Sequence, residues 1–148
     1  MNLTIYLSGE IHSDWREQIA TGIQEHNLPV EILTPVVTHE ASDNVGVDIL
    51  GAEDKAFWKD HKAAKINSIR IKNAIEKADV VVVRFGDKYR QWNAAFEAGY
   101  AVAKGKQVIT LHDDGLRHAL KEVDASAVAT AETPQQVVEI LKYVTTQK

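Results

Sequence analysis

Short apolar runs alternate with amphipathic segments along the chain, and this alternation predicts strands that alternate with helices. The run DVVVVRF (79–85) is almost entirely apolar and β-branched, which is typical of a strand buried on both faces. Five such runs predict five strands: LTIYLS (3–8), VEILTP (30–35), DVVVVRF (79–85), QVITLH (107–112) and SAVATA (126–131).

Between these runs, apolar residues recur at helical spacing. Residues 36–53 contain Asn44, Gly46 and Gly51, and they predict a loop. The predicted helices are residues 15–26, 54–77, 91–104, 116–123 and 133–144.

This order predicts an α/β fold: a doubly wound, parallel, five-stranded sheet with helices on both faces, flavodoxin-like or Rossmann-like in layout. The length of 148 residues suits one domain, spanning residues 1–148. In such sheets, ligands bind beyond the carboxyl ends of the strands, at the switch point between strands 1 and 3. The loops 8–13 and 84–93 are therefore the predicted ligand-binding loops.

Composition narrows the range of partners. A net charge of −4 provides no basic footprint for a nucleic-acid polymer or an anionic membrane, although it does not exclude a small anionic ligand. The chain has no cysteine, and its six histidines show no ligand spacing, so we expect no thiol chemistry, no metal and no other cofactor. No run approaches the roughly 18 apolar residues of a membrane span, and the first residues lack a leader pattern. We expect a cytoplasmic protein without membrane contact.

Two further motifs are interpreted as structural. Phe57 and Trp58 are expected to dock on the sheet rather than to stack on a base. The segment HDD (112–114) is expected to form a polar turn rather than to hold Mg²⁺.

The loop SGEIHS (8–13) follows the first strand. Gly9 allows backbone N–H groups to approach a ligand, and a helix begins just after it, where anions are favoured. The alternative is a plain turn with Ser13 or Asp14 as the N-cap, because a single glycine is a weak motif. The candidate substrate contacts in this loop are Ser8, Gly9, Glu10 and His12.

The loop after strand 3 is rich in polar residues. Arg84 ends a buried strand, and its planar guanidinium suits a phosphate or a carboxylate. The alternative is that Arg84 pairs with Asp87 or Glu97 and only holds the loop. The candidate substrate contacts here are Arg84, Gly86, Asp87, Gln91 and Asn93.

A single carboxylate, Glu97, lies within a run of apolar and small residues in the predicted helix 91–104. Partial burial makes an unpaired carboxylate costly, so we expect it to have a partner or a function. The alternative to a functional acid is an ion pair with Arg84 or Arg90. The residues alone leave both interpretations open.

Three segments resemble a known superfamily: IYLSGEIH, KADVVVVRFGD and NAAFEAGYAVAKGKQVITL. They are similar to the nucleoside 2-deoxyribosyltransferases, a superfamily that includes the deoxynucleoside-monophosphate N-glycosidases. A closer resemblance, carried by VVVRFGDKYRQWNAAFEAGYA and HALKEVDASA and extending over nearly the whole chain, is to the YtoQ family within it.

The resemblance implies that Glu97 is the nucleophile of a retaining double displacement at the anomeric carbon of a (deoxy)ribosyl group. It implies that Tyr6 holds Glu97 by a hydroxyl contact, and that residues 9–12 bind the 5′ end of the sugar or a 5′-phosphate. The partner would be a small nucleoside or nucleotide, and the protein a homo-oligomer, a dimer or larger.

Three positions depart from the superfamily pattern. Ile71 stands where an aspartate usually orients the sugar or assists the leaving base. Gln91 replaces a common Asp or Ser, and His12 replaces the arginine of the glycosidase branch. A nucleotide-binding module without turnover is therefore the alternative to an enzyme.

Overall fold

The computed structural model describes residues 1–147. Its centre is one sheet of five parallel strands in the order β2-β1-β3-β4-β5. The strands are β1 (Leu3–Gly9), β2 (Val30–Leu33), β3 (Val80–Arg84), β4 (Gln107–Leu111) and β5 (Ala129–Ala131). Because β1 lies between β2 and β3, the order reverses there and the predicted switch point is confirmed.

Helices cover both faces of the sheet, and α2 packs on α3. Helices α1 and α6 pack together on one face, whereas α3 and α4 cover the other. The predicted doubly wound fold is therefore confirmed. The helices are α1 (Trp15–Glu25), α2 (His39–Leu50), α3 (Ala56–Lys77), α4 (Trp92–Ala103), α5 (Lys121–Ser126) and α6 (Pro134–Thr146).

The predicted loop over residues 36–53 is wrong, because most of it forms α2. Gly46 lies in the middle of α2 and packs against α3. A Cβ at position 46 would lie 2.4 Å from the Cβ of Lys62, so the glycine permits a close helix crossing. Gly51, with φ of +93°, ends the helix.

The predicted helix over residues 116–123 is also displaced. A 3₁₀ turn forms at Asp114–Leu116, and α5 begins only at Lys121. The reason lies at the end of β4, where the buried His112 Nε2 is 2.8 Å from Asp124 Oδ2. Both His112 and Asp124 lie outside the predicted segment 116–123, so the apolar pattern of that segment does not show the contact that positions α5.

The sheet face that carries the candidate site is set by strand alternation. Ile5 and Leu7 point toward α1 and α6, whereas Tyr6 lies in the apolar cluster that includes α4. Ser8, two residues after Tyr6, shares its face. The predicted loops that follow β1 and β3 therefore meet α4 at the carboxyl edge of the sheet.

Helix α4 packs closely on this face because its buried residues are small. Ala94, Ala98 and Ala101 recur every three or four positions and are all buried. Glu97 lies at the edge of this alanine stripe, next to Ala98. The close approach of α4 to the sheet brings the Glu97 carboxylate within reach of the end of β1.

Candidate active site

Glu97 is held by the end of the first strand. Ser8 Oγ donates a hydrogen bond to Glu97 Oε2 at 2.5 Å, and Ser8 itself is fully buried. Among residues 1–147, Glu97 forms no ion pair with Arg84 or Arg90, so neither expected alternative partner is used. The single charge on α4 thus faces a hydroxyl rather than a guanidinium.

Burial raises the pKa of the Glu97 carboxyl above its ordinary value, because desolvation disfavours the ionised form. Two neighbours oppose this effect. The Ser8 hydrogen bond and the positive charge of Arg16 both lower the pKa of Glu97. The site therefore contains a carboxylate that is partly desolvated but still supported in its charged form.

Tyr6 lies beside this carboxylate but does not hold it. Its side chain is fully buried, and its hydroxyl has no hydrogen-bond partner among the described residues. Burial raises the pKa of the Tyr6 hydroxyl, and the negative charge of Glu97 raises it further. The hydroxyl contact expected from Tyr6 is thus made by Ser8 instead, while a catalytic role for Tyr6 stays a prediction.

Arg16 is a buried cation that the sequence does not reveal. Its guanidinium donates to the backbone carbonyls of Leu7, Gly9 and Glu10, at 3.0, 3.1 and 2.6 Å. Burial lowers the pKa of Arg16 to about 10, a value that still leaves it charged at neutral pH. Because these carbonyls flank Ser8, Arg16 fixes the backbone that presents the Ser8 hydroxyl to Glu97.

The turn after β1 is tightly built. Gly9 has φ of +105°, and a Cβ there would lie 2.2 Å from the carbonyl oxygen of Arg84. The Glu10 N–H donates to the same oxygen at 3.1 Å. The Glu10 carboxylate is buried and accepts from the His12 N–H and from Ser13 Oγ. The predicted loop is therefore an ordered structure closed by its own hydrogen bonds.

A pocket of about 630 Å³ opens between α2, α3 and α4, and we call it the Glu97 pocket. Its volume lies within the range of about 300–1,000 Å³ that is typical of small-molecule sites. Its apolar wall includes Ile71, the position at which the resemblance leads one to expect an aspartate. The lining residues are Ser42, Asp43, Asp60, Ala63, Ala64, Asn67, Ser68, Ile71, Lys72, Ile75, Asn93, Phe96, Glu97 and Tyr100.

His12, a predicted substrate contact, is not among the residues that line the Glu97 pocket. His12 contacts two rings, His39 at 5.6 Å and Tyr89 at 5.0 Å between centroids. Tyr89 has φ of +61°, an uncommon value for a residue with a side chain. These rings come from three separate segments, so they join α2 to both predicted loops.

Other residues of the second loop contact the protein itself. The neighbouring Asp113 side chain raises the pKa of the Asp87 carboxyl. Gln91 Nε2 donates to the Lys88 carbonyl at 2.7 Å. Arg84 Nε is buried without a partner among the described residues. Of the predicted contacts in this loop, only Asn93 lines the Glu97 pocket.

Phe57 and Trp58 differ from the prediction, because they remain 66% and 49% exposed instead of docking on the sheet. They pack on one another and on His61. Among residues 1–147, no group of three His, Cys, Asp or Glu side chains is placed to hold a metal ion. Over the same range, no helix combines the length and apolar content needed to cross a bilayer.

Ser42 and Asp43 are pocket residues that sequence reasoning misses. Ser42 and Asp43 belong to α2, which the glycine and asparagine content of residues 36–53 concealed. Asn67 donates to the Ser42 carbonyl and hydroxyl, both at 3.1 Å, and thereby fixes α2 on α3. A polar amide within the apolar pattern of α3 was the available signal for this contact.

Solved structures with the same fold include three of different origin. A 2-deoxyribosyltransferase from Bacillus psychrosaccharolyticus is 17% identical, with a TM-score of 0.54 over 91% of this chain and 90% of that chain. A conserved protein from Enterococcus faecalis V583 is 13% identical, with a TM-score of 0.62 over 97% and 99%. A de novo designed Rossmann 2x3 protein is 15% identical, with a TM-score of 0.53 over 100% and 95%. At these identities the likenesses show the fold alone.

The sequence comparisons are more specific. The uncharacterized protein YtoQ of Bacillus subtilis (strain 168) is 43% identical over 143 residues, which cover 97% of each chain. Residues 6–145 match the family described as nucleoside 2-deoxyribosyltransferase YtoQ. The chain therefore belongs to the nucleoside 2-deoxyribosyltransferase YtoQ family.

Proposed function

We propose that this protein is a glycosyl-transfer enzyme that cleaves the N-glycosidic bond of a nucleoside or nucleotide with Glu97 as nucleophile. The observation that carries the proposal is the position of Glu97. Its carboxylate lines a pocket of ligand size and is bonded to Ser8 rather than paired with a cation. A partly desolvated acid in a crevice is a recognised mark of a functional site.

The proposed reaction has two displacements. A Glu97 carboxylate oxygen attacks the anomeric carbon, the bond from that carbon to the base nitrogen breaks, and the base leaves with the electron pair. In the second step, water or the nitrogen of another base attacks the same carbon, and Glu97 leaves as a carboxylate. The proton that the attacking group loses is taken up by the released base. Two inversions give net retention at the anomeric carbon.

The surroundings of Glu97 suit this role. Desolvation makes the carboxylate more basic, and the Ser8 hydroxyl stabilises its charge both before attack and when it leaves. Arg16 holds the backbone around Ser8, and the buried Tyr6 hydroxyl is available as a second donor beside the acid. Glu97 and these three side chains thus form one candidate catalytic unit.

Ile71 supports the second candidate function, a nucleotide-binding module without turnover. Ile71 lines the Glu97 pocket, and its side chain can neither orient a sugar hydroxyl nor protonate a leaving base. Asn93 lines the same pocket and can donate hydrogen bonds to a base or a sugar.

Incubation with a panel of 2′-deoxynucleosides and their 5′-monophosphates separates the two candidates. Free base, or exchange of one base for another, detected by chromatography, supports the enzyme. Saturable binding without any released base supports the module. If no member of the panel binds, both candidates fail.

Removal of the Ser8 hydroxyl is expected to change the pH dependence of the reaction. The hydrogen bond stabilises ionised Glu97, so Ser8→Ala raises the pKa of Glu97 further and moves the acidic limb of the kcat/KM profile to higher pH. A hydrogen bond to a charged group contributes about 1.5–3 kcal/mol, so we expect at least about a tenfold loss on that limb.

The matched control is Ser68→Ala. Ser68 lines the same pocket, but its hydroxyl donates to the Lys65 carbonyl within α3. The position of the acidic limb is expected to stay unchanged in this variant. An unshifted limb in Ser8→Ala would show that the hydroxyl does not support the reacting carboxylate.

A further inference from the structure

The carboxylate of Glu10 is enclosed although it lies in a loop at the carboxyl edge of the sheet. Glu10 is only 5% exposed. One carboxylate oxygen accepts from the His12 N–H, and the other accepts from Ser13 Oγ at 2.6 Å. Both donors lie immediately before α1, whose first residue is Trp15.

The remaining polar atoms of Glu10 are also bonded. Its N–H donates to the Arg84 carbonyl, and its own carbonyl accepts from Trp15 Nε1 at 2.8 Å and from Arg16 at 2.6 Å. A Cβ on Gly86 would lie 2.6 Å from Glu10 Cγ, so the glycine leaves the space that the side chain occupies. Residues of the loops after β1 and β3 therefore surround the Glu10 side chain.

The donors that Glu10 uses are those that an external anion would need. A backbone N–H and a hydroxyl just before a helix, together with the positive end of the helix dipole, form the usual setting for a bound phosphate. In this chain a carboxylate of the protein itself accepts from both donors. A phosphate in the same place would meet occupied donors and a like charge.

We propose that Glu10 is a specificity-determining residue that occupies the His12 N–H and the Ser13 hydroxyl, which we call the anion cradle. In this way it excludes ligands that carry a phosphate at their 5′ end. The inference rests on the proposed function and deepens it, because it selects the unphosphorylated nucleoside over the 5′-monophosphate. It also gives Glu10 a role by exclusion, distinct from direct contact with the sugar.

The distance along the strand suits this role. Ser8 holds the proposed nucleophile, and Glu10 follows two residues later, so their Cα atoms are separated by at most about 7 Å. This separation is on the scale of one pentose with its exocyclic 5′ carbon. The first loop thus lies within reach of the 5′ end of a sugar whose anomeric carbon contacts Glu97.

The test uses Glu10→Ala and Glu10→Gln, with Glu17→Ala as the matched control. Glu17 is an exposed acid in the first turn of α1, so its removal changes the charge near the helix start without opening the cradle. Calorimetry measures the binding of inorganic phosphate, of each 2′-deoxynucleoside and of its 5′-monophosphate to each folded protein.

We expect the wild type and Glu17→Ala to bind the nucleoside at least about tenfold more tightly than the monophosphate, because the Glu10 carboxylate repels the like charge of the phosphate. Glu10→Ala is expected to bind inorganic phosphate, which the wild type does not, and to lose the preference for the nucleoside. Glu10→Gln keeps the size of the side chain, and it is expected to reduce the preference even if Glu10→Ala does not fold.

Two results overturn the proposal. One is equal binding of nucleoside and monophosphate by the wild type. The other depends on which Glu10 variant folds. If Glu10→Ala folds, the overturning result is that it gains no phosphate binding; if it does not fold, the overturning result is that Glu10→Gln keeps the full preference for the nucleoside. Failure of the wild type to bind any nucleoside rejects the proposed function instead, and the phosphate titration then still decides the role of Glu10.

Discussion

Replacement of Glu97 by glutamine is expected to abolish base release while leaving nucleoside binding intact. The amide has the same size as the carboxylate and still accepts a hydrogen bond from Ser8, but it cannot attack the anomeric carbon. Loss of a covalent nucleophile in other enzymes costs on the order of 10⁴- to 10⁶-fold in kcat. Chromatography of the free base measures the rate, and calorimetry measures the binding.

Rescue by an added nucleophile provides the control for this loss. In Glu97→Ala, azide has room to attack the anomeric carbon from the side of the missing carboxylate. Turnover is expected to return, with a glycosyl azide of inverted configuration as the product, because only one displacement then occurs. Retained turnover in Glu97→Gln without azide would assign the chemistry to another group.

Glu97→Gln is also expected to stabilise the folded state at neutral and alkaline pH. The folded pKa of Glu97 is raised by burial, so the ionised carboxyl is disfavoured in the folded state at pH values above the folded pKa. Glu97→Gln removes this cost, and we expect a gain of about 1 kcal/mol near pH 8. The gain should vanish below the pKa of an ordinary glutamate, where the carboxyl is protonated in both states. Urea unfolding at both pH values measures the difference.

Replacement of Gly9 by alanine is expected to cost about 3 kcal/mol of folding free energy. Part of this cost comes from φ of +105°, which side chains rarely adopt, and the rest comes from a Cβ placed 2.2 Å from the main-chain carbonyl oxygen of Arg84. Relief of the overlap requires β1 and β3 to separate at their carboxyl ends. Ser8 then moves away from Glu97, so activity is expected to fall together with stability.

Gly105→Ala is the control for Gly9→Ala. Gly105 follows α4 with φ of +74°, and a Cβ there would meet nothing within 4 Å. Its replacement is expected to cost about 1–2 kcal/mol from the backbone conformation alone. Equilibrium unfolding in urea compares the two variants, and equal losses would show that the contact with the Arg84 carbonyl is not a real constraint.

The sequence pattern predicts the position of the candidate site better than it predicts the contacts within it. Alternating strands and helices place the loops after β1 and β3 at one edge of the sheet, and the small neighbours of Glu97 indicate close packing of its helix. These features follow from local periodicity, which the chain displays directly. They suffice to bring Ser8 and Glu97, 89 residues apart, to the same place.

The missed features depend on contacts between distant segments. In the sequence, Gly46 resembles a loop residue. Its place within α2 is explained only by the close packing of α3 against it. Arg16 resembles a solvated helix residue, because nothing in its surroundings in the sequence shows that three carbonyls of the β1 end surround it. Whether Tyr6 or Ser8 bonds Glu97 depends on a difference of two residues along one strand face, which periodicity cannot resolve.

The alanine stripe of α4 has a consequence for how this protein could be altered. Only methyl groups separate the helix from the sheet at Ala94, Ala98 and Ala101, so these side chains act as a spacer that sets the height of Glu97 above β1. A larger residue at position 98 would move α4 away from the sheet and increase the distance from the Glu97 carboxylate to the Ser8 hydroxyl. The reactivity of the acid could thus be adjusted from the buried side of its helix, by residues that never meet a ligand.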